Sequence, residues 1–488
     1  MSSKRVHLIG VCGTGMGQLA VLFRAAGAEV TGSDVAFDPP VGPELERHGV
    51  RCLKDYREEN LGEPDLVVVG NVIRKDNVEA VAAEKRGLRR VSMSGALREE
   101  FLKHRRSVTV AGTHGKTTTS AMVTHLLRAG ELEPGWFVGG VPKTLPAGSG
   151  LGRTKRALLT TSSTVKERAP FVLEGDEYDD VYWSKQPKFL DYVGVSPEDI
   201  VLLTSVEQDH IDIYADLPSY LAAFDALVAK IPADGILVAY AGDPLVRKVA
   251  AACPARVVYY ALDGDDVGDA TVTWHGALAP IDEIGRQNFD LFAGGVSVGR
   301  FAMPIVGAHN VKNAVGALAV CAEGFSVPWS TLRRSLLGYE GVKRRQDLLA
   351  EVDGVRVYDD FAHHPTAVEE TLRAFRAKHP SGSLFAVFEP RSATACRSLH
   401  QESYPGAFKA ATRVLLAPLG RTNVPESERL DLDRVVAEIG PQATLAASVD
   451  DIVQTLVREA KPGDTLAILS NGAFGGLHGK LIEALKAR

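Results

Sequence analysis

Lys116 stands between Gly115 and Thr117 in the stretch "VTVAGTHGKTTTS" that runs from Val108 to Ser120. An ammonium beside a glycine turn and a row of hydroxyls is the chemistry that a nucleotide's phosphates require. Backbone N–H groups at a helix start lack partners, and the helix dipole favours an anion there. The usual P-loop pattern GxxxxGK[ST] is met at Gly115, Lys116 and Thr117, but Val110 occupies its first glycine position and Gly112 follows instead. The mechanics survive that departure. Gly112, Thr113, His114, Gly115, Lys116 and Thr117 are expected to surround a nucleotide's phosphates, with Lys116 on the β- and γ-phosphates and the Thr117 hydroxyl on Mg2+.

Acids follow the loop. Glu174 opens "EGDEYD", and Glu207, Asp209 and His210 close the apolar run "DIVLLTSVEQDH". Carboxylates facing a triphosphate repel it by about 4 kcal/mol per close pair at an effective dielectric of 20, so cations must bridge them. Glu174 and His210 are therefore expected as further Mg2+ ligands. The bland alternative is a set of surface acids with a core histidine.

A second glycine run, "GVCGTGMG" from Gly10 to Gly17, resembles the dinucleotide fingerprint GxGxxG but has Gln18 where the third glycine belongs. Asp34 lies where an acid would meet a ribose hydroxyl. NAD, another dinucleotide or a UDP-sugar would each fit Gly13, Thr14, Gly15, Met16 and Asp34. Two phosphate loops in one chain bring two phosphate-bearing ligands together, which points to a ligase more than to a dehydrogenase.

The elements that must position these residues alternate. Short β-rich runs such as "RVHLIG", "SVTVAG" and "SLFAVFEPR" are separated by helical patterns, as in parallel α/β sheets. A chain of 488 residues calls for about three domains. Boundaries near 105 and 342 give a Rossmann-like domain at 1–105, a P-loop domain at 106–342 and a second Rossmann-like domain at 343–488. The net charge of −6 and the lack of a long basic tract disfavour nucleic acid and membrane surfaces as partners. The five cysteines form no CxxC pair, no apolar run is long enough for a membrane span, and the N-terminus leaves no room for a secretory signal. A cytoplasmic protein is expected.

"GTHGKTTT", "EGDEYD", "EQDHID", "GAHNVKNA", "GVKRRQD" and "DDFAHHPTAV" together resemble the Mur ligase family along the whole chain. That resemblance implies an ADP-forming amide ligase acting on UDP-linked muramyl precursors, with UDP-binding, ATPase and amine-binding domains in that order. The runs "VGNVIRKDN", "FEPRSAT" and "SNGAFGGLH" are most similar to the murein-recycling branch. That branch joins the tripeptide L-alanyl-γ-D-glutamyl-meso-diaminopimelate to UDP-N-acetylmuramate. The alternative is the branch that adds L-alanine to the same sugar, and a redox or sensor protein using NAD is more distant.

Carried onto this sequence, the resemblance implies Asn310, Arg345, Asp360 and His363 as nucleotide contacts, with Arg345 also catalytic beside Lys116, Glu174 and His210. It adds Asn71 to the UDP-sugar residues. Position at strand ends gives Arg391, Ser392 and Asn471 as candidates for the peptide. A monomer or weak homodimer is expected. The γ-phosphoryl group would convert the sugar's lactyl carboxylate to an acyl phosphate, and closure of domain three on the ATPase domain would exclude water.

Overall fold

The computed structural model describes residues 3–152, 168–421 and 423–488. They fall into two compact units. The first holds residues 1–207, 218–275 and 315–335, and the second holds 208–217, 276–314 and 336–488.

The first unit begins with β1 (Arg5–Ile9), β2 (Glu29–Asp34), β3 (Arg51–Lys54), β4 (Leu66–Val69) and β5 (Arg90–Ser92), arranged β3-β2-β1-β4-β5. All four pairings are parallel. Every residue of β4 is buried, as a parallel strand covered on both faces demands. The helix Thr14–Ala25 follows β1 directly and buries Met16, Leu19, Ala20, Leu22 and Phe23.

A second sheet in the same unit comprises β6 (Arg106–Ala111), β7 (Gly135–Phe137), β8 (Ser149–Gly150), β9 (Pro170–Glu174), β12 (Ile200–Leu203), β13 (Ile236–Tyr240) and β14 (Arg256–Leu262). A hairpin, β10 (Asp179–Val181) with β11 (Ser184–Pro187), stands apart from it. The order is β14-β13-β12-β6-β9-β7-β8, and β6 pairs in parallel with β9 on one side and β12 on the other. Strand β6 feeds the helix Lys116–Ala129. The two sheets are tied within the unit, for the Ser94 hydroxyl donates to Asp191 at 2.6 Å and Arg98 donates to the Asp191 carbonyl at 2.9 Å.

The apolar run "DIVLLTSVEQDH" (199–210) reads as one buried strand, but pairing stops at Leu203. Residues 204–210 are irregular; Thr204 Oγ1 donates to the His114 carbonyl and the Glu207 N–H to Thr113 Oγ1, and His210 takes a positive φ of 54°. Strand β15 (Val272–Ala279) carries the chain across the boundary at 275.

The second unit contains an antiparallel hairpin of β16 (Gln287–Ala293) and β17 (Val296–Met303). Its main sheet is β18 (Asp347–Val352), β19 (Val355–Asp360), β20 (Leu384–Phe388), β21 (Arg413–Leu416), β22 (Ala443–Leu445) and β23 (Thr465–Leu469), in the order β18-β19-β23-β20-β21-β22. Alternation along β20 places Leu384, Ala386 and Phe388 in one apolar cluster and Phe385 and Val387 in the other. Both faces are thus covered, and polar residues collect at the strands' C-terminal ends. Among the described residues no helix is long and apolar enough to cross a membrane.

Candidate active site

In the first unit, β6 delivers the chain to Gly112 at φ +125°. A Cβ there would lie 2.4 Å from Thr204 Oγ1 and 2.7 Å from the Ser205 carbonyl oxygen, so the turn lies against the 204–207 segment and admits no side chain. The Thr113 N–H donates to the Ser205 carbonyl at 3.0 Å, and the His114 N–H to Ser205 Oγ at 3.0 Å. Thr113 Oγ1 and the Glu207 backbone exchange two bonds of 2.8 Å, and His114 Nε2 lies 2.7 Å from Glu207 Oε2. Gly115, at φ +83°, then opens the helix whose first residue is Lys116.

The Lys116 ammonium donates to the Gly112 carbonyl at 2.7 Å, the Thr113 carbonyl at 3.2 Å and Glu177 Oε1 at 2.8 Å. Burial pulls its pKa down, but the carboxylates of Glu177, Glu174 and Asp176 outweigh that and raise it, so the group stays charged. One residue on, the Thr117 hydroxyl donates to Glu174 Oε1 at 2.6 Å, while the Gly139 N–H holds Glu174 Oε2 at 2.6 Å. A hydroxyl and a carboxylate side by side at a helix start are hard oxygen donors of the kind Mg2+ takes. Asp176 is also held below the usual carboxylate range, since its pairing with Lys188 at 2.7 Å overcomes burial.

The other glycine turn follows β1. Gly10 has φ +81°, Gly13 caps the helix in an extended conformation, Thr14 and Gly15 begin the helix and Met16 is buried within it. Asp34 accepts from the Cys12 N–H at 2.8 Å and from the Tyr56 hydroxyl at 3.3 Å. Its carboxylate therefore braces the turn's own backbone, a role that spacing alone did not suggest. Asn71 is exposed in the turn after β4.

In the second unit, the His210 N–H donates to Asp209 Oδ1 at 2.7 Å, and the Thr394 hydroxyl reaches the same oxygen at 2.7 Å. Burial pushes Asp209 up, yet His210, His363 and Thr394 together hold it well below the usual range. His363 is shifted down, chiefly by burial, and its Nδ1 lies 3.0 Å from the Phe361 carbonyl. The Asp360 carboxylate accepts from the Gln346 N–H at 2.7 Å and the Ala362 N–H at 2.9 Å, and burial raises its pKa despite Arg345. The Arg345 guanidinium lies 4.9 Å from the Phe361 ring centroid. Asn310 is buried and donates to the Val306 carbonyl at 2.8 Å, an oxygen that also receives Gln346 Nε2 at 3.0 Å. The 344–346 segment thus gathers Asn310, Arg345 and Asp360.

Of the peptide candidates, Arg391 lies across Gly472, where a Cβ would come within 2.2 Å of its Cδ, and 3.4 Å from Glu389. Ser392 accepts from the Ala395 N–H at 2.9 Å, so its hydroxyl shapes the local turn. Asn471 sits between two carbonyls, those of Ser470 and Gly472, that each take Arg344 Nη2 at 2.7 Å. Sequence reasoning passed over Arg344 and Glu177. Glu177 stands in the same "EGDEYD" run as Glu174, and the signal was there in a second acid three residues on.

Glycine turns ahead of helices, a charged lysine and a hydroxyl–carboxylate pair on a parallel sheet define an enzyme of nucleotide chemistry. The chain belongs to the Mur ligase family. The family models described as "Mur ligase family, catalytic domain", "Mur ligase middle domain" and "Mur ligase, glutamate ligase domain" match residues 5–105, 110–321 and 344–472. It is 33% identical over 484 residues to the UDP-N-acetylmuramate–L-alanyl-γ-D-glutamyl-meso-2,6-diaminoheptandioate ligase of Escherichia coli, covering 99% of this chain and 98% of that one. It is 30% identical to the UDP-N-acetylmuramate–L-alanine ligase of Pelotomaculum thermopropionicum, covering 100% and 99%. A crystal structure of a murein peptide ligase from Psychrobacter arcticus matches with a TM-score of 0.70 at 30% identity, covering 100% of this chain and 99% of that one.

Proposed function

We propose that this protein is an ADP-forming ligase that joins L-alanyl-γ-D-glutamyl-meso-diaminopimelate to UDP-N-acetylmuramate in murein recycling. The observation that carries the reading is the Lys116 ammonium beside the Thr117–Glu174 oxygen pair at one helix start, in a chain that matches a tripeptide ligase over its full length. The first hundred residues take the UDP-sugar, residues 106–342 the nucleotide and residues 343–488 the peptide. The reaction is assigned to the cytoplasm.

A carboxylate is a poor electrophile. The lactyl carboxylate of the sugar therefore takes the γ-phosphoryl of ATP, forming an O–P bond as the bond to ADP breaks. The peptide's α-amino group then attacks the acyl carbon, inorganic phosphate leaves, and the amine's proton passes to solvent. Lys116 offsets charge on the transferring group, and the backbone N–H groups of Gly112–Thr117 orient the phosphates. Thr117 and Glu174 would hold Mg2+, which supplies further charge neutralisation when bound. Arg345 adds a cation, while Asn310, Asp360 and His363 contact the nucleotide. The amine has a pKa near 8 and needs little base help, so His210 is not asked to be one.

The test uses UDP-N-acetylmuramate labelled with 18O in its carboxylate. During turnover one labelled oxygen should appear in the inorganic phosphate, and unlabelled phosphate would refute the acyl-phosphate route. A second reading, addition of free L-alanine to the same sugar, is supported by the full-length match to an L-alanine ligase.

A further inference from the structure

An ammonium has three N–H donors. Those of Lys116 are all engaged, by the carbonyls of Gly112 and Thr113 and by Glu177 Oε1 at 2.8 Å. Lys116 cannot take a phosphate oxygen without releasing one of them. The two carbonyls belong to the turn itself, whose backbone is bonded to the 204–207 segment. Glu177 is the one charged partner, on a separate stretch after β9, and it is fully buried.

Tyr220 is also buried, and its hydroxyl lies 3.3 Å from Glu177 Oε1 and 3.0 Å from Thr113 Oγ1. It therefore gives the carboxylate a donor to keep when the ammonium turns away.

We propose that Glu177 is the resting counter-ion of Lys116 and competes with the nucleotide's phosphates for it, so that ATP arrives by displacing a carboxylate and ADP departs as that carboxylate returns. Glu177 is then a positioning residue, acting through Lys116. The inference rests on the reading of Gly112–Thr117 as the nucleotide loop. It predicts a direction opposite to ordinary damage. Removing the negative charge leaves a buried ammonium without its partner, so an incoming phosphate has more to gain.

The experiment measures ATP affinity by calorimetry on the full chain at a fixed excess of Mg2+, alongside melting temperature with and without ATP. Glu177→Gln should bind ATP about 10-fold more tightly than the parent, melt at a lower temperature when unliganded, and gain more from ATP. Glu177→Asp retracts the charge by one methylene and should shift affinity the same way by a smaller factor, which decides the matter if the glutamine variant does not fold. Unchanged or weaker ATP binding in the folded variants overturns the counter-ion role. A parent protein that binds no ATP at all would instead bring down the nucleotide-loop reading, and this inference with it.

Discussion

At Gly10–Gly17 and again at Gly112–Thr117, a buried parallel strand runs through glycines into a helix, yet the side chains around the two turns differ in charge. The first has no basic residue in the opening of its helix, and its acid, Asp34, is spent on the Cys12 N–H and the Tyr56 hydroxyl. The second places Lys116 at the helix start and surrounds it with Glu174, Asp176 and Glu177. A turn of the first kind offers backbone N–H groups alone, suited to grip a diphosphate that stays intact. A turn of the second kind adds a cation and hard oxygen donors, which suit a phosphoryl group that migrates.

The largest effect expected from this contrast is at Lys116. Lys116→Ala should lower ADP release about 1,000-fold, measured in a coupled assay, because it removes a preorganised charge from the transferring group. Near-parental turnover would erase the distinction between the turns. Glu174→Gln should cost about 100-fold at limiting Mg2+, with part of the loss recovered in excess Mg2+. A loss indifferent to Mg2+ would reduce Glu174 to a brace for Thr117 and Gly139.

Below the first turn lies a buried network. Glu79 accepts from Ser33, the Arg57 N–H and Asn60, and lies 3.2 Å from His7 Nε2. Burial pushes its pKa up, but those partners lower it overall, so its contribution to stability exists above the unfolded value near 4.3 and is lost as pH falls through the folded one. Glu79→Gln should therefore be about 2 kcal/mol less stable than the parent at pH 7 by denaturant titration, and the gap should close below about pH 4. A gap that persists in acid would deny the network its charge. The smallest effect belongs to Asp34. Asp34→Ala should raise KM for UDP-N-acetylmuramate about 10-fold and leave kcat within about 2-fold, as loss of a turn brace remote from the chemistry should. An equal fall in kcat would mean that the first turn also shapes the reacting geometry.

The sequence carried most of this architecture for a physical reason. Buried parallel strands such as β4 and β12 are short continuous apolar runs, each preceded by an aspartate, and the helix Lys116–Ala129 begins where its hydroxyl run does. What stayed hidden was set by long-range partners. Strand β12 ends at Leu203, and the following residues bond the phosphate turn. Short edge strands such as β3 and β22 have no apolar run to announce them, for two of the four residues of β3 are charged. The roles of Glu177 and Arg344 depend on partners far along the chain, Lys116 for the first and the carbonyls of Ser470 and Gly472 for the second, that only the fold brings to them. Local spacing singled out Lys116, Thr117 and Glu174 as candidates, but it could not say which carboxylate holds the lysine.

The central claim is that the incoming amine belongs to a tripeptide. It is tested most directly by kcat/KM for L-alanyl-γ-D-glutamyl-meso-diaminopimelate against free L-alanine, with UDP-N-acetylmuramate and ATP, scored by ADP release. The tripeptide should be preferred by at least about 100-fold, the scale set when binding contacts are absent from the smaller substrate. A preference for L-alanine would contradict it.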